Sequence, residues 1–427
     1  MPELLSLLIA LVVLVVAARL GGSAAERIGQ PPVVGEMVVG IALGPSLLGW
    51  LWPAAAATLF PEDLLPHLFT LSQVGLLIFM FLVGLEFDHG QLRRLGHTAV
   101  LASHASITIP ALFGCLAALY LYPRLSSDAV GFREFALFMA VAMSVTAFPV
   151  LARILRERRL QDTPLGTVTI ACAAVDDVTA WCLLAGVVAL VRVAHGGLPV
   201  ALMVAGLAVY VGAMLVARRT VLPAILTTFQ RRERLTDNLF AAVIALVLLS
   251  AWVTEWLGLH LLFGAFFAGV VLPKNDLFVR ALRDRLETVA TVLLLPIFFA
   301  FTGLRTEIGL VQGREMWFYF GLILLLAVSG KLLGSTIAAR MTGLSWRDAT
   351  ALGIFMNTRG LMELVVLNIG LELGVISPAL FSMMVLMALV TTFMTTPLVE
   401  VVYGRAQRRT GVVPTKQLTA VQPDFAP

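Results

Sequence analysis

The stretch IACAAVDDVTAWCLLAG, residues 170–186, sets two adjacent carboxylates, Asp176 and Asp177, in the middle of an otherwise apolar run. A carboxylate at the centre of a membrane helix costs at least about 2.5 kcal/mol on insertion scales. Two neighbouring carboxylates also repel each other, and ionisable residues kept at such depth usually belong to functional sites. The run therefore predicts a membrane helix with a buried site that needs a counter-charge or a proton.

The rest of the chain has the composition of an integral membrane protein. Of its 427 residues, 59% are hydrophobic and 13% are charged, against roughly 25% charged residues in soluble domains. Basic loops on one side of a membrane explain the net charge of +4, so we expect no nucleic-acid partner. Cys115, Cys172 and Cys182 lie in apolar stretches, and we expect no disulfide, no cysteine-bound metal and no cofactor.

Charged residues, prolines and glycines divide the chain into about thirteen apolar segments. A helix needs about 20 apolar residues to cross the hydrocarbon core of a bilayer. The sequence therefore predicts an all-α membrane protein with about thirteen transmembrane helices. Their approximate extents are 3–21, 32–50, 68–87, 97–121, 135–155, 165–193, 198–222, 236–256, 258–273, 287–305, 316–340, 350–371 and 377–402.

Lysine and arginine are distributed unevenly between the connections of these spans. Most of the 30 basic residues follow odd-numbered spans, and few follow even-numbered ones. Because basic loops stay in the cytoplasm, the asymmetry predicts an N-terminus outside and a C-terminus inside a cell inner (plasma) membrane. Residues 405–427 are polar and contain proline, so we expect a short cytoplasmic tail.

Two pairs of apolar segments resemble each other. VGEMVVGIAL at 34–43 matches FGAFFAGVVL at 263–272, and IFMFLVGLEFD at 78–88 matches IFFAFTGLRTE at 297–307. Seven spans separate the copies, and an odd separation inverts the second copy in the membrane. The sequence therefore predicts two inverted repeats around a site at the membrane midplane.

The clearest candidate for the counter-charge is Lys331, which lies near the middle of the predicted span 316–340. Neighbouring helix positions point about 100° apart, so Asp176 and Asp177 face different surroundings. We predict that Asp176 pairs with Lys331 and that Asp177 binds a monovalent cation and the proton in turn. The alternative is a static salt-bridge cluster that holds helices together.

Two other predicted spans carry polar residues at mid-membrane depth. In the span 135–155, the candidate cation ligands Ser144 and Thr146 precede Pro149. Proline leaves nearby carbonyls without partners, so this helix is expected to break there, a simple kink being the alternative. The equivalent span 350–371 holds a secondary polar core formed by Asn357, Thr358, Arg359 and Glu363.

Within that second span, Arg359 and Glu363 are spaced i, i+4 and can pair on one helix face. We favour a structural role for this pair over direct contact with the ion. Glu36 is added to the polar set because it lies close enough to a span end to line an access funnel.

These motifs resemble those of the monovalent cation:proton antiporter-2 family, which includes plant cation/H+ exchangers, fungal K+/H+ antiporters and bacterial Na+(K+)/H+ antiporters. The resemblance covers essentially the whole membrane region. It is carried by QPPVVGEMVVGIALGPSLLG (30–49), FLVGLEFD (81–88), SVTAFPVLARIL (144–155), AAVDDVTAW (173–181), GKLLGS (330–335) and FMNTRGLMELVVLNIG (355–370).

The resemblance implies a sodium/proton antiporter fold with crossed broken helices, in a homodimer that works by elevator-type alternating access. By motif, it implies that Asp177 carries the ion and the proton, that Asp176 and Lys331 are its partner pair, and that Thr146 lies on a broken helix. It further implies a transmembrane antiporter domain over 1–404, with core spans at about 97–193 and 316–402, dimerisation or scaffold spans at about 3–87 and 236–305, and a linker helix at about 198–222.

One position departs from the plant pattern. Plant-type relatives generally have Asn where this chain has Asp176, whereas electrogenic bacterial Na+/H+ members have Asp. The choice between K+ and Na+ and the number of protons therefore stay open. A proton-coupled exporter of an organic cation or natural product, and a cation channel, are the alternative functions. No enzymatic activity is expected, because an intramembrane aspartyl protease needs its two aspartates on separate helices.

Overall fold

The computed structural model of the chain describes residues 3–86, 97–126, 130–158, 160–161, 163–194 and 199–404. These residues form helices and the connections between them, and the β-type pairing in them is limited to an isolated bridge between Ser126 and Ile376. The predicted all-α class is therefore confirmed. The predicted cytoplasmic tail, 405–427, lies outside the described residues.

The helices of the first half often begin with proline in their first turn, as at Pro32, Pro53 and Pro149. At this position the missing N–H costs no hydrogen bond. The helices are α1 (Glu3–Arg27), α2 (Pro32–Leu43), α3 (Leu48–Leu51), α4 (Pro53–Leu59), α5 (Leu65–Glu86), α6 (His97–Leu125), α7 (Phe132–Ser144), α8 (Phe148–Glu157), α9 (Pro164–Ala194), α10 (Val200–Thr220) and α11 (Leu222–Arg232).

Several helices of the second half begin at a side-chain cap, where Thr236, Asn275, Ser345 or Ser377 accepts a hydrogen bond from an amide three residues on. Such caps satisfy amides that have no partner inside the helix. The helices are α12 (Asp237–Trp256), α13 (Leu261–Val271), α14 (Asp276–Val289), α15 (Leu295–Leu304), α16 (Gly313–Met341), α17 (Trp346–Met356), α18 (Leu361–Glu372) and α19 (Pro378–Val399).

Within the described ranges, 12 helical segments are long and apolar enough to cross a membrane. The sequence predicted about thirteen, and the difference lies at 258–273, where α13 has only 11 residues. A helix of that length spans roughly 16 Å, about half of a hydrocarbon core about 30 Å thick. It begins late because His260 has a φ of 117°, which no helical residue adopts.

Two spans are broken near their middle, as the sequence predicted. α7 ends at Ser144, and the chain leaves the helical path before α8 begins at Phe148. Likewise, α17 ends at Met356 and α18 begins at Leu361. The alternative of a simple proline kink is wrong, since Pro149 lies in the first turn of α8 and the interruption precedes it.

The helices form two packing groups. In the core group, α6 packs on α7, α9 and α16, and α17 packs on α16. α8 packs on α9, α18 packs on α7, and α19 packs on α16, α17 and α18, so these three helices belong to the core group as well. In the scaffold group, α2 packs on α1 and α15, and α13 packs on α5 and α12. That these groups act as a moving core and a dimerisation scaffold remains a prediction.

The predicted repeat appears in the scaffold group as two equivalent helix crossings. Where α2 meets α15, a Cβ added to Gly40 would lie 2.4 Å from the carbonyl oxygen of Ala300. Where α13 meets α5, a Cβ added to Gly269 would lie 2.3 Å from the carbonyl oxygen of Phe81. Gly40 and Gly269 occupy matching positions of the repeat, so the same backbone approach, open only to glycine, occurs in both copies.

Candidate functional site

Asp176, in the middle of α9, is fully buried and is surrounded by hydrogen-bond donors. The Ser103 hydroxyl donates to Oδ1 at 2.7 Å, and the Ser106 hydroxyl donates to Oδ2 at 2.5 Å. Thr146 Oγ1 lies 2.8 Å from Oδ2, and Lys331 Nζ lies 3.1 Å from the same oxygen. One ammonium group and three hydroxyls thus compensate this carboxylate, as a buried charge requires.

Lys331, on α16, is also 0% exposed. Besides Asp176, its ammonium group donates to Thr146 Oγ1 at 2.6 Å and approaches Ser106 Oγ at 3.4 Å. The structure therefore brings together Asp176, Lys331 and Thr146, three of the residues that the sequence singled out. The two serines on α6 complete the cluster.

The two broken helices meet at this cluster and are joined through their backbones. The amide of Ala147, in the first break, donates to the carbonyl oxygen of Thr358, in the second break, at 2.9 Å. Thr146 Oγ1 also lies 3.1 Å from the carbonyl oxygen of Met356, the last residue of α17. Backbone groups that a continuous helix would satisfy internally are instead paired across the two repeats.

Asp177, one residue further along α9, has different surroundings. It is 6% exposed, and its Oδ1 is buried with no hydrogen-bond partner among the described residues. The amide of Phe148, the first residue of α8, interacts with this carboxyl group. Amides at a helix N-terminus favour a negative charge, so Asp177 lies at an anion-favouring helix end with one oxygen free for another partner.

Arg359 and Glu363 form the ion pair that their spacing allows, at 2.5 Å, with both side chains 0% exposed. The Arg359 guanidinium also donates to the carbonyl oxygens of Ala142 at 2.9 Å and Met143 at 2.8 Å. These carbonyls belong to the last turn of α7, where a cation offsets the negative helix end. Arg359 therefore ties the second break to the first half-helix.

The remaining polar residues of the two broken spans lie in or beside the breaks. The Thr358 hydroxyl donates to Thr395 Oγ1 at 3.3 Å. Asn357 is buried, and its Oδ1 has no hydrogen-bond partner within the described ranges. The Ser144 hydroxyl lies 2.6 Å from the Ala140 carbonyl oxygen and 3.0 Å from the Ile107 carbonyl oxygen. The hydroxyl hydrogen of Ser144 is therefore used in hydrogen bonds to backbone carbonyl oxygens.

Glu36 belongs to the scaffold group, on α2, and is 5% exposed. The charged groups that act on it most strongly are those of Arg19, Arg153 and Glu26. Arg153 comes from α8 of the core group, and it forms an ion pair with Glu26 of α1. Glu36 therefore lies where α1 and α2 face the end of α8, between the two groups.

Sequence reasoning missed three residues that the structure brings to the breaks, Ser103, Ser106 and Thr392. Thr392 Oγ1 lies 2.5 Å from the Arg359 carbonyl oxygen and 3.1 Å from its amide. The spacing of Ser103 and Ser106, three residues apart on an apolar helix, was the available signal, because it places both hydroxyls on one face. Nothing comparable pointed to Thr392.

A comparison with protein families gives a match to the sodium/hydrogen exchanger, transmembrane, over residues 9–401. The chain belongs to this family. The resemblance to monovalent cation:proton antiporters that the motifs suggested is thereby confirmed. Among its relatives, the Na+/H+ antiporter NhaS4 of Synechocystis sp. is 43% identical over 403 residues, which cover 94% of this chain and 98% of the relative.

Eukaryotic members of the exchanger family are also similar. Cation/H+ antiporter 18 of Arabidopsis thaliana is 40% identical over 93% of this chain. K+/H+ antiporter 1 of Saccharomyces cerevisiae is 35% identical over 89% of it. The chain spans about half the length of these two relatives, 49% and 44% respectively.

The fold is that of a solved exchanger. The sodium proton antiporter MjNhaP1 from Methanocaldococcus jannaschii aligns with a TM-score of 0.57 over 94% of this chain and 97% of the other. The two sequences are only 14% identical, so this likeness concerns the fold alone. The predicted sodium/proton antiporter fold is confirmed.

Proposed function

We propose that this chain is a secondary antiporter that exchanges a monovalent cation, Na+ or K+, for protons at Asp177. The observation that carries the proposal is the contrast within one carboxylate pair. Asp176 has four donors around it, whereas Asp177 Oδ1 is buried and has no hydrogen-bond partner in the described part of the chain. Names of related antiporters from Synechocystis and yeast support the same class of reaction.

The exchange follows from the cost of burying an unpaired charge. A carboxylate anion without a partner is unstable away from water, so Asp177 takes either a cation or a proton. When the site faces the side with more cation, the cation displaces the proton, and on the other side the proton displaces the cation. Because one group serves both ligands, neither crosses without the other.

Asp176 and Lys331 have a supporting role in this proposal. Their pair, with Thr146, keeps a permanent charge balance beside Asp177 while the occupant of Asp177 changes. Arg359 offsets the α7 end through two carbonyls, and Glu363 lies in the first turn of α18, where an acidic residue is stabilised. Backbone and hydroxyl oxygens of the breaks, including those of Ser144, Thr358 and Asn357, are the candidate additional ligands of the cation.

We further propose that the core group moves against the scaffold group as an elevator, within a homodimer. Polar contacts between the groups support this movement, because they can break and reform while the apolar side chains of α2, α5, α18 and α19, which share one buried cluster, slide past one another. These polar contacts include Gln30 Nε2 to the Phe393 carbonyl oxygen at 3.3 Å, the Glu307 amide to Ser382 Oγ at 3.0 Å, and the Arg153–Glu26 pair.

The orientation is part of the proposal. The Arg-rich connections support a C-terminus in the cytoplasm of an inner (plasma) membrane, with Glu36 near the cytoplasmic approach to the site. On this orientation the ends of α8 and α1 face the cytoplasm, and the end of α18 faces outward.

The test compares Asp177→Asn with Asp176→Asn in everted membrane vesicles, with Asp63→Asn as a matched control. Asp63 is an exposed carboxylate in the connection before α5. Added Na+ or K+ should dissipate an imposed pH gradient in wild type and in the control. Asp177→Asn should abolish this exchange, and Asp176→Asn should retain part of it with altered charge movement.

Three outcomes would contradict the proposal. Wild-type exchange rates in Asp177→Asn would mean that the site is elsewhere. Cation flux without coupled proton movement would favour a channel. Exchange driven by an organic cation, and not by Na+ or K+, would favour an exporter on the same scaffold.

A further inference from the structure

A cavity of about 170 Å³ lies between the two groups at the face poor in lysine and arginine. Its walls come from α5, α9, α12, the start of α13 and the end of α18. Since a water molecule occupies about 30 Å³ in the liquid, the cavity has room for an ion with part of its water shell. It adjoins the C-terminal end of α18, whose other end begins at the crossing of the broken helices.

Two side-chain oxygen atoms that could bind a cation face this cavity, one from each group. Gln73, on α5 of the scaffold, has a buried Oε1 with no hydrogen-bond partner among the described residues. Glu372, on α18 of the core, is 31% exposed, and its Oε1 lies 3.6 Å from Arg305 Nη1. That distance is long for a charge-assisted hydrogen bond, and the same nitrogen lies closer to Asn368 Oδ1, at 3.0 Å.

The other polar groups in the wall are already matched. Glu255 binds Arg192 at 2.7 Å through Oε1 and the Leu261 amide at 2.8 Å through Oε2. Burial lowers the pKa of His260, in the connection before α13, to about 4, so its ring is uncharged near neutral pH. Of the two carboxylates that line the described wall, Glu372 therefore has the longer ion pair, 3.6 Å to Arg305 against 2.7 Å between Glu255 and Arg192. The α18 terminus adds the negative end of a helix.

We propose that this cavity, defined by Gln73 and Glu372, is a second binding site for a partly hydrated Na+ or K+. One loosely held carboxylate, one amide oxygen and water suit a monovalent ion, whereas Ca²⁺ takes six to eight oxygen ligands, commonly from several carboxylates. The site holds the cation at the outward face before it enters, or after it leaves, the carboxylate at Asp177. The inference rests on the proposed cation exchange.

The test measures the KM for Na+ and for K+ with the cation supplied at one face at a time, in right-side-out and everted vesicles containing the full chain. Glu372→Gln and Gln73→Leu should each raise the KM at the outward face about three- to tenfold, the effect of losing one contact in a partly hydrated site. The KM at the cytoplasmic face and the maximal rate should stay unchanged. Gln73→Glu should lower the outward KM.

Glu62→Gln is the matched control, because Glu62 is an exposed carboxylate before the same end of α5. The cavity holds only water if the outward KM changes as little in the Gln73 and Glu372 variants as it does in this control. Equal KM changes at both faces would mean that these residues act on the conformational equilibrium and not as ligands. If the wild type exchanges cations for protons, either result overturns the inference about the cavity. If the wild type shows no exchange, the proposed function itself is refuted.

Discussion

Removing either partner of the buried Asp176–Lys331 pair should destabilise the protein, but by different amounts. Asp176→Asn leaves the Lys331 ammonium in a fully buried site without its counter-charge. It then faces neutral oxygens, those of the new amide, of Thr146 at 2.6 Å and of Ser106 at 3.4 Å. Lys331→Met leaves the Asp176 carboxylate with three hydroxyl donors, of which Ser103 and Ser106 lie at 2.7 and 2.5 Å.

The magnitudes follow from these residual partners. An uncompensated buried charge costs about 3–5 kcal/mol, which is the expected effect of Asp176→Asn. Lys331→Met also leaves a buried charge without its partner, but the three hydroxyls still donate to the Asp176 carboxylate. Its expected cost is therefore smaller, about 1.5–3 kcal/mol, the loss of one hydrogen bond to a charged group. In the double variant neither charge is present, so its loss of stability should be smaller than the sum of the two single losses by about 1–3 kcal/mol.

The assay is the free energy of unfolding of the purified chain in detergent, measured by denaturant titration for wild type, both single variants and the double variant. Coincident transitions from helix content and tryptophan fluorescence are required before the free energies are compared. The reasoning fails if Lys331→Met destabilises as much as Asp176→Asn, or if the two effects add.

Three further predictions test other parts of the structure. Gly269→Ala should destabilise by about 1–3 kcal/mol in a thermal unfolding assay, through overlap with the α5 backbone. Gly212→Ala, whose added Cβ would lie within 4 Å of no other described residue, should be neutral or stabilising in the same assay. Arg359→Lys should lower the exchange rate at least about tenfold, because one ammonium group cannot replace a guanidinium that binds two carbonyl oxygens and a carboxylate. A wild-type exchange rate in this variant would contradict the prediction. Asn368→Ala removes 3.0 Å hydrogen bonds to Arg305 and Thr302 and should increase hydrogen exchange of the α18 amides, which unchanged protection would contradict.

The fold could be predicted from the sequence because each span had to be apolar and each exception was conspicuous. Asp176 and Lys331 stand out against apolar helices, and the glycine pattern of 34–43 and 263–272 marks the repeat. The breaks were predictable because Pro149 and the polar run at Asn357 interrupt such helices. In a membrane span, each polar side chain therefore indicates a site or a helix break.

Other features could not be predicted because they depend on packing in three dimensions. Ser103 and Ser106 are small and common in membrane helices, and only the position of α6 beside α9 gives them a charged partner. The short length of α13 follows from the backbone of His260, which apolarity does not reveal. The free Oδ1 of Asp177 follows from the orientation of α9 relative to the two breaks, since adjacent aspartates are chemically identical in the sequence.

The hydrogen bond from the Ala147 amide to the Thr358 carbonyl has a consequence for mutagenesis. Both atoms belong to the main chain, so replacing either side chain leaves the bond in place, and an alanine scan of the crossing would overlook it. Only a change to the backbone itself, such as Ala147→Pro or an ester in place of that amide, removes the donor. Residues at the crossing that tolerate many side chains can therefore still form the junction on which the geometry of both repeats depends.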